Sequence, residues 1–213
     1  MKKTACVFNY DHENEIVLNE LKKECEWILT NDAVATLKLD GSACLYKEGI
    51  LWKRYDRKLL PKYSNKFKPG DKPDLSFFRN PPEGFVPCEE TYDPNTFHWP
   101  GWVPVGKNDK YHLEAFENCK DELVEGATYE LMGPTVAKNT AELDKHLLIR
   151  HGSIELDVPD RSYEGIKKFL TENYIEGIVF HNKKDGRLAK ITRKHFNLFW
   201  KEIDYRKNKH KVK

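Results

Sequence analysis

The sequence predicts an α+β domain in which strands outnumber helices. Most apolar stretches are three to six residues long, which is the length of a short strand. They are bounded by Gly, Asn or Asp turn signals, and two of them read as a hairpin. Only three segments carry apolar residues at helical spacing. The 213 residues are enough to build one core, so a single domain over residues 1–213 is expected.

These patterns place the elements along the chain. The turn Lys47-Glu48-Gly49 predicts that residues 43–46 and 50–55 form a β-hairpin. Helical spacing predicts three helices, at residues 15–29, 163–172 and 194–200. The remaining strands are expected at residues 4–9, 34–37, 128–131, 147–149, 177–181 and 188–191.

The sequence changes character after the predicted hairpin, from about residue 59 to residue 108. Prolines recur throughout this segment, which excludes regular helices and central strands. Aromatic residues stand between the prolines, and so many rings argue against a flexible linker. We therefore expect an ordered, loop-rich excursion that packs on the domain or becomes ordered with substrate.

Composition excludes several classes of protein. The net charge is only +2 although 33% of the residues are charged, so the whole chain is not a polycation. No apolar run approaches the roughly 20 residues that cross a bilayer, and no signal-peptide pattern follows Met1. An intracellular protein, cytoplasmic or nuclear and without a membrane partner, is expected. Five widely spaced cysteines predict reduced thiols rather than a zinc site.

The segment Lys38-Leu39-Asp40-Gly41-Ser42 carries the strongest chemical signal. Its lysine stands at the end of a predicted strand, in a turn where the backbone can approach a phosphate closely. A lysine becomes a nucleophile when burial or neighbouring cations favour its neutral amine. Lys53, Arg54 and Lys190 could supply such cations. Alone, so short a match fits an ordinary surface lysine better.

Further motif-like segments follow along the chain in a fixed order, and they favour a catalytic lysine over an ordinary surface lysine. Lys38-Leu39-Asp40-Gly41 resembles motif I of the covalent nucleotidyltransferases, the superfamily of RNA ligases, DNA ligases and mRNA capping enzymes. Arg54 is placed like the next basic residue of that superfamily. Tyr129 to Gly133 resembles motif III, Glu176 to Phe180 resembles motif IV, and Leu188-Ala189-Lys190 resembles motif V.

Four further blocks narrow the resemblance to a small family of ATP-dependent RNA ligases known from vertebrates. The similarity spans the chain from about Val34 to His195. The blocks that carry it are Leu51 to Lys58, Pro100 to Val105, His146 to Gly152 and Ile175 to Val179.

The resemblance implies a nucleotidyltransferase fold, with antiparallel sheets and flanking helices around an ATP cleft. It implies that Lys38 attacks the α-phosphate of ATP and forms a lysyl-AMP phosphoramidate. Glu176 would help to bind Mg²⁺ or Mn²⁺, and Lys190 would contact the α-phosphate. A sparse carboxylate set suits Mg²⁺, which binds through one or two carboxylates and phosphate oxygens.

The other implied contacts hold the nucleotide and the RNA. Arg54 would bind the nucleotide and later the RNA 5′-phosphate, and Glu130 would accept a hydrogen bond from the ribose. Leu37, which precedes the motif, and Gly41, its last residue, would also contact the nucleotide. The implied activity joins 5′-phosphate and 3′-hydroxyl RNA ends through an RNA-adenylate, and no obligate protein partner is evident.

Several alternatives stay open at this point. Motif V usually has lysine at both ends of its triplet, whereas this chain has Leu188 at the first position, with Arg187 beside it. A DNA ligase, a capping-type enzyme, or a nucleic-acid-binding module that has lost catalysis would each fit part of the pattern. Arg57 and Lys58 could be solvated or could touch RNA. The basic tail, residues 206–213, could bind phosphate backbone or only aid solubility.

The aromatic residues of the excursion also allow two interpretations. Phe97, Trp99 and Trp102 could stack on unpaired bases, as such rings do in single-strand binders. Because they stand among Pro and Gly, we expect that they anchor the loop to the core instead.

Overall fold

The computed structural model describes residues 4–11 and 13–200, so the basic tail at 206–213 lies outside the described residues. The residues fall into two units, each of which makes most of its contacts within itself. We call Ser42–Leu131 with Lys145–Leu148 the Arg54 unit. We call Thr4–Gly41, Met132–Asp144 and the described chain from Ile149 onward the Lys38 unit.

Twelve strands and two α-helices make up most of the regular structure of the described residues, and the α+β class is confirmed as a mostly sheet fold with few helices. The α-helices are α1 (Lys110–Cys119) and α2 (Tyr163–Glu172). The strands are β1 (Ala5–Cys6), β2 (Phe8–Asp11), β3 (Ile16–Leu21), β4 (Ala33–Leu37), β5 (Ser42–Lys47), β6 (Ile50–Arg57), β7 (Val86–Pro87), β8 (Trp99–Pro104), β9 (Thr128–Met132), β10 (Leu147–Arg150), β11 (Gly177–Asn182) and β12 (Leu188–Thr192).

Short 3₁₀ helices connect these elements. They span Lys23–Leu29, Pro61–Tyr63, Leu75–Phe77, Lys120–Glu122, Ala137–Asn139 and Arg193–Phe196. No helix among the described residues is long and apolar enough to cross a membrane.

The Lys38 unit is built on a four-stranded sheet in the order β1-β12-β11-β4. The β1–β12 pair is parallel, and the other two pairs are antiparallel. Helix α2 contributes Ile166 and Leu170 to the same core as Ile178 and Phe180 of β11, and all four side chains are fully buried. The Ser162 hydroxyl caps α2 by accepting a hydrogen bond from the Gly165 N–H.

The Arg54 unit contains a six-stranded sheet in the order β10-β9-β5-β6-β8-β7. The predicted hairpin is confirmed as β5 and β6. Glu48 and Gly49 both have positive φ, at 56° and 72°, which is the conformation of a type I′ hairpin turn. Helix α1, which the sequence reading missed, also belongs to this unit.

The predicted helix over residues 15–29 is wrong. Residues Ile16–Leu21 form β3, which pairs with β2, and a 3₁₀ helix follows at Lys23–Leu29. The turn between the strands is fixed by Asp11, whose Oδ1 accepts hydrogen bonds from the N–H groups of Glu13 and Asn14. Strand pairing with β2 therefore overrides the roughly helical spacing of the apolar residues in this segment.

The predicted helix over residues 194–200 is also wrong beyond its first turn. A 3₁₀ helix spans Arg193–Phe196 and ends at Asn197, which adopts a left-handed φ of 54°. Asparagine tolerates that conformation and commonly ends a helix there. The residues after Asn197 consequently do not continue the helix.

The expectation that the prolines exclude central strands fails at β8, which contains Pro100 and Pro104 and lies between β6 and β7. Val105 donates its N–H to Leu51 on the β6 side. Because N–H groups alternate along a strand, those of residues 100 and 104 would point away from β6. The prolines therefore remove no donor from the β6–β8 ladder.

Candidate functional site

The centre of the candidate site is an ion pair between the two predicted residues Lys38 and Glu176. The Lys38 Nζ lies 2.6 Å from Oε1 and 2.7 Å from Oε2 of Glu176. The side chains are 24% and 17% exposed, so the pair is largely shielded but reachable from solvent. The predicted nucleophile and the predicted metal carboxylate are therefore in direct contact.

Strand pairing brings these residues together. Leu37 of β4 is opposite Ile178 of β11, and the Lys38 N–H donates to the Gly177 carbonyl at 2.9 Å. Lys38 follows β4 and Glu176 precedes β11, so both leave the same end of the strand pair. A Cβ at Gly177 would lie 2.3 Å from the Ile191 carbonyl oxygen, which explains the glycine after Glu176.

Lys190 lies on β12, opposite Val179 of β11 and Cys6 of β1. The positive charge of Lys190 acts on His195, as do the positive charges of Lys194 and Lys38. Burial, and after it these three positive charges, together lower the pKa of His195 to about 4. The imidazole is consequently neutral near pH 7, and its Nδ1 accepts a hydrogen bond from the Thr192 N–H.

A cavity of about 550 Å³ opens beside the ion pair within the Lys38 unit. Two carboxylates line it, those of Glu176 and Asp40. The Trp200 indole N–H donates to Asp40 Oδ2 at 3.0 Å and so fixes the second carboxylate. The remaining lining includes two cations and several neutral or aromatic side chains: Lys138, Lys194, Ala137, Thr192, Asn197, Leu198 and Phe199.

The donor set of this cavity fits a hard divalent cation such as magnesium or manganese. Among residues 4–11 and 13–200, no group of three or more His, Cys, Asp or Glu side chains is arranged to hold a metal. The cavity nevertheless offers two carboxylates, Asp40 and Glu176. Mg²⁺ characteristically takes one or two protein carboxylates and completes its shell with phosphate oxygens and water.

Two of the predicted site residues, Arg54 and Glu130, belong to the Arg54 unit. Arg54 lies on β6, where its Nε donates to Asp56 Oδ1 at 3.0 Å, and it lines a cavity of about 960 Å³. Glu130 lies on β9 opposite Ala43 and is buried. Burial, and after it the nearby Glu130 charge, together raise the pKa of the Cys44 thiol to about 12.

The remaining predicted contacts, Leu37 and Gly41, are both partly buried and belong to the Lys38 unit. Leu37 is the last residue of β4, and its N–H donates to the Ile154 carbonyl. The structure thus brings Lys38, Glu176 and Lys190 into one unit with these two residues.

Arg187 does not replace the lysine that motif V usually has at the position of Leu188. Its Nε donates to Asp185 Oδ2 at 2.9 Å, and its guanidinium lies 5.7 Å from the centre of the Trp27 ring. Leu188 itself is opposite His181 on β11. Arg187 is therefore engaged with other groups of the Lys38 unit.

Sequence reasoning missed Lys138, Lys194 and Trp200 as residues that line the cavity. Lys138 stands in a connection without periodicity, where Ala137, Lys138 and Asn139 all have positive φ, at 41°, 62° and 50°. Trp200 was included in a predicted helix. No local pattern links it to Asp40, because the two residues are far apart in the sequence.

Comparison with known proteins relates the chain to RNA ligases as a class and then to one family of them. A family model described as RNA ligase 1 matches residues 113–213. RNA ligase 1 of Pongo abelii is 30% identical over 224 aligned residues, which cover 79% of this chain and 68% of that protein. Those of Rattus norvegicus and Mus musculus are each 29% identical and cover 79% of this chain, with 69% and 68% of their own lengths. The chain belongs to the RNA ligase 1 family.

Proposed function

We propose that this protein is an ATP-dependent RNA ligase that works through a covalent lysyl-AMP intermediate. The observation that carries the proposal is the contact of Lys38 with Glu176 at the edge of a cavity that contains a second carboxylate and two further lysines. Transfer of a nucleotide to a lysine requires a nucleophilic amine and cations that neutralise phosphate charge, and carboxylates are the protein ligands of Mg²⁺.

In the first step, the Lys38 amine attacks the α-phosphate of ATP. The new P–N bond forms as the bond from the α-phosphate to the bridging oxygen breaks, and pyrophosphate leaves with its negative charge. The ammonium must lose a proton before it can attack, and Glu176 is the base in contact with it. Lys190 neutralises charge on the α-phosphate, as the family resemblance implies.

Glu176, together with Asp40, would hold a magnesium or manganese ion, which would neutralise charge on the phosphates. The hydrogen bond from Trp200 fixes the Asp40 carboxylate. Arg54 and Glu130 would bind the phosphate and the ribose of the nucleotide, with Leu37 and Gly41 against it. The proposal carries with it the nucleotidyltransferase fold that the family resemblance implies.

In the second step, an oxygen of the RNA 5′-phosphate attacks the phosphorus of lysyl-AMP. The P–N bond breaks, the Lys38 nitrogen takes up a proton, and RNA-adenylate forms. In the third step, the 3′-hydroxyl of the other end attacks the RNA 5′-phosphate, loses its proton, and AMP leaves. The products are a phosphodiester bond and free AMP, with one ATP consumed for each bond.

The experiment that tests the proposal uses labelled nucleotide without RNA. Wild-type protein and Lys38→Ala are incubated with Mg²⁺ and α-labelled ATP, and with GTP as a second donor, before denaturing gels and intact mass measurement. We expect an acid-labile AMP adduct on wild type alone, with ATP preferred. Absence of the adduct on folded protein that carries no AMP beforehand would remove the proposal.

A catalytically impaired RNA-binding module is the second candidate, because Leu188 lacks a charge and Arg187 is engaged elsewhere. The two candidates differ in the later steps. An active ligase forms sealed RNA, whereas an enzyme that is impaired only in motif V would accumulate RNA-adenylate. A module without catalysis would form neither product and no protein adduct.

A further inference from the structure

The loop-rich excursion is a large insertion between β6 and β8, which pair as a hairpin. Strands β6 and β8 pair without interruption from Trp52–Pro104 to Arg57–Trp99. Residues 58–98 therefore form the loop of this hairpin, where roughly two to five residues would suffice. Loops of this length in folded domains are usually functional or disordered.

The excursion has a small core of its own. Leu59, Phe78 and Phe97 are buried together, and the rings of Phe67 and Tyr92 pack against them. The chain also closes on itself near its base, where the Leu60 N–H donates to the Phe77 carbonyl at 2.8 Å. These contacts give the excursion a defined structure. It therefore presents an ordered surface to solvent and is not a flexible linker.

The rings of Phe97, Trp99 and Trp102 are not presented to solvent for stacking on bases. Phe97 and Trp102 are buried, and the Trp99 indole N–H donates to the Glu89 carbonyl at 2.8 Å. The expectation that they anchor the loop agrees with these contacts. The candidates for ligand binding on the excursion are consequently its charged side chains.

Charge is segregated along the end of β6 and the excursion that follows it. Residues 57–79 contain seven Lys or Arg and only two Asp, whereas residues 80–93 contain four Asp or Glu and no Lys or Arg. This concentration is notable in a chain whose net charge is only +2. Segregation of this kind lets one face attract a polyanion even though the chain is nearly neutral.

Four exposed cations are brought together by the contacts of this segment, and we call Lys58, Lys62, Lys66 and Arg79 the basic surface. The Arg79 N–H donates to the Lys58 carbonyl at 2.9 Å, so these two residues are neighbours. The Lys62 and Lys66 ammonium groups lie 4.8 and 5.5 Å from the centre of the same Tyr63 ring.

The ring of Phe77 joins the two halves of the basic surface. Lys66 Nζ lies 4.9 Å from its centre, and Phe77 is two residues before Arg79. Cation–π contacts hold the ammonium groups over the rings but leave their outer sides open to solvent. Among the described residues, none of the four cations forms an ion pair with a carboxylate that would neutralise it.

We infer that the basic surface binds the phosphodiester backbone of single-stranded RNA without reading its sequence. The inference rests on the proposed function, because RNA is the substrate which that function supplies. Uncompensated Lys and Arg side chains bind phosphates with release of counterions, and contacts to phosphate carry no sequence information. The surface would thus hold the strand whose end is joined.

The test compares Lys62→Ala/Lys66→Ala with a matched control, Lys167→Ala/Lys168→Ala. The control removes the same charge from helix α2, where Lys167 Nζ lies 6.0 Å from the Tyr163 ring. The probe is a fluorescent, 5′-phosphorylated single-stranded RNA, and its affinity is measured by anisotropy at several salt concentrations. Each lysine on phosphate contributes about 0.7 to the salt slope, so the Lys62/Lys66 variant loses about 1.4.

The inference holds if that variant alone loses slope and affinity, while Lys62→Arg/Lys66→Arg restores both. It is overturned if the Lys62/Lys66 variant binds like wild type, if the control loses as much, or if arginine fails to restore binding.

Adenylylation without RNA separates this inference from the proposed function. The Lys62/Lys66 variant should form the AMP adduct at the wild-type rate, and loss of the adduct would instead place these lysines in the nucleotide site. If wild type forms no adduct but binds RNA through these lysines, the proposed function fails and the surface stands.

Discussion

The Lys38 site and the basic surface hold lysine in opposite ways. Lys38 is partly buried and in contact with both oxygens of Glu176, whereas Lys62 and Lys66 are exposed and rest on aromatic rings. A shielded ion pair fixes one amine at one position and is little affected by salt. Exposed cations on rings present charge to a flexible partner and are strongly affected by salt. The first arrangement suits bond formation, and the second suits binding of a strand.

The largest expected effect follows from removal of the carboxylate that holds Lys38. We expect Glu176→Gln to lower the rate of AMP adduct formation about a hundredfold, because a neutral amide neither accepts the proton nor binds a cation equally well. The control is Glu172→Gln, an exposed residue of α2 that lies 3.9 Å from Lys168. Adduct formation at wild-type rate by Glu176→Gln, measured on protein of unchanged thermal stability, would contradict the role of the pair.

Salt should separate the two regions in wild-type protein. We expect RNA affinity to fall about tenfold or more between 50 and 200 mM salt, because phosphate contacts release counterions. The rate of adduct formation at saturating ATP should change by no more than about twofold, since a shielded pair is weakly screened. Anisotropy and rapid quench measurements in the same buffers check both. Equal sensitivity of the two readouts would remove the distinction between the regions.

A smaller effect is expected at Trp200. Trp200→Phe keeps a ring beside Tyr174, whose centre is 5.2 Å away, but deletes the N–H that binds Asp40. Loss of one hydrogen bond to a charged group predicts a decrease of about tenfold in adduct formation at limiting ATP. Trp200→Ala removes the ring as well and should be at least as slow. A wild-type rate for Trp200→Phe would mean that this hydrogen bond does not position Asp40.

The smallest effect concerns acid stability and His195. Its pKa is about 4 in the folded protein and 6.5 ordinarily, so the unfolded chain takes up the proton first as pH falls. The stability that the neutral imidazole contributes is therefore fully present above pH 6.5 and is lost as pH falls towards 4. We expect the melting temperature of His195→Gln to fall less between pH 7 and pH 5 than that of wild type. Identical falls would show that His195 is not responsible.

Sequence reasoning succeeded where the signal was local. The β5–β6 hairpin follows from Gly49 and the two apolar strands, and α2 begins and ends at the predicted residues because Ser162 caps a regular helical pattern. Motif order alone assigned Lys38 and Glu176 to one site, and their direct contact was not predicted. That contact is realised by the register of β4 and β11, which no local pattern encodes.

The misses have physical reasons as well. Residues 16–21 carry apolar side chains that suit either a helix or a strand, and pairing with β2 decides between them. The strand β8 was hidden by prolines that face away from β6. The contact between Asp40 and Trp200 depends on the turn at Asn197, after which the chain no longer follows a helix. Tertiary contacts decided each of these cases.

A single turnover without free ATP tests the lysyl-AMP mechanism most directly. Protein is adenylylated, freed of nucleotide, and mixed with Mg²⁺ and RNA that carries a 5′-phosphate and a 3′-hydroxyl. We expect that AMP leaves Lys38, that RNA-adenylate forms first, and that sealed RNA then appears in an amount no greater than the adduct. Adduct that persists in the presence of RNA, with no AMP transferred to the strand, would contradict this mechanism.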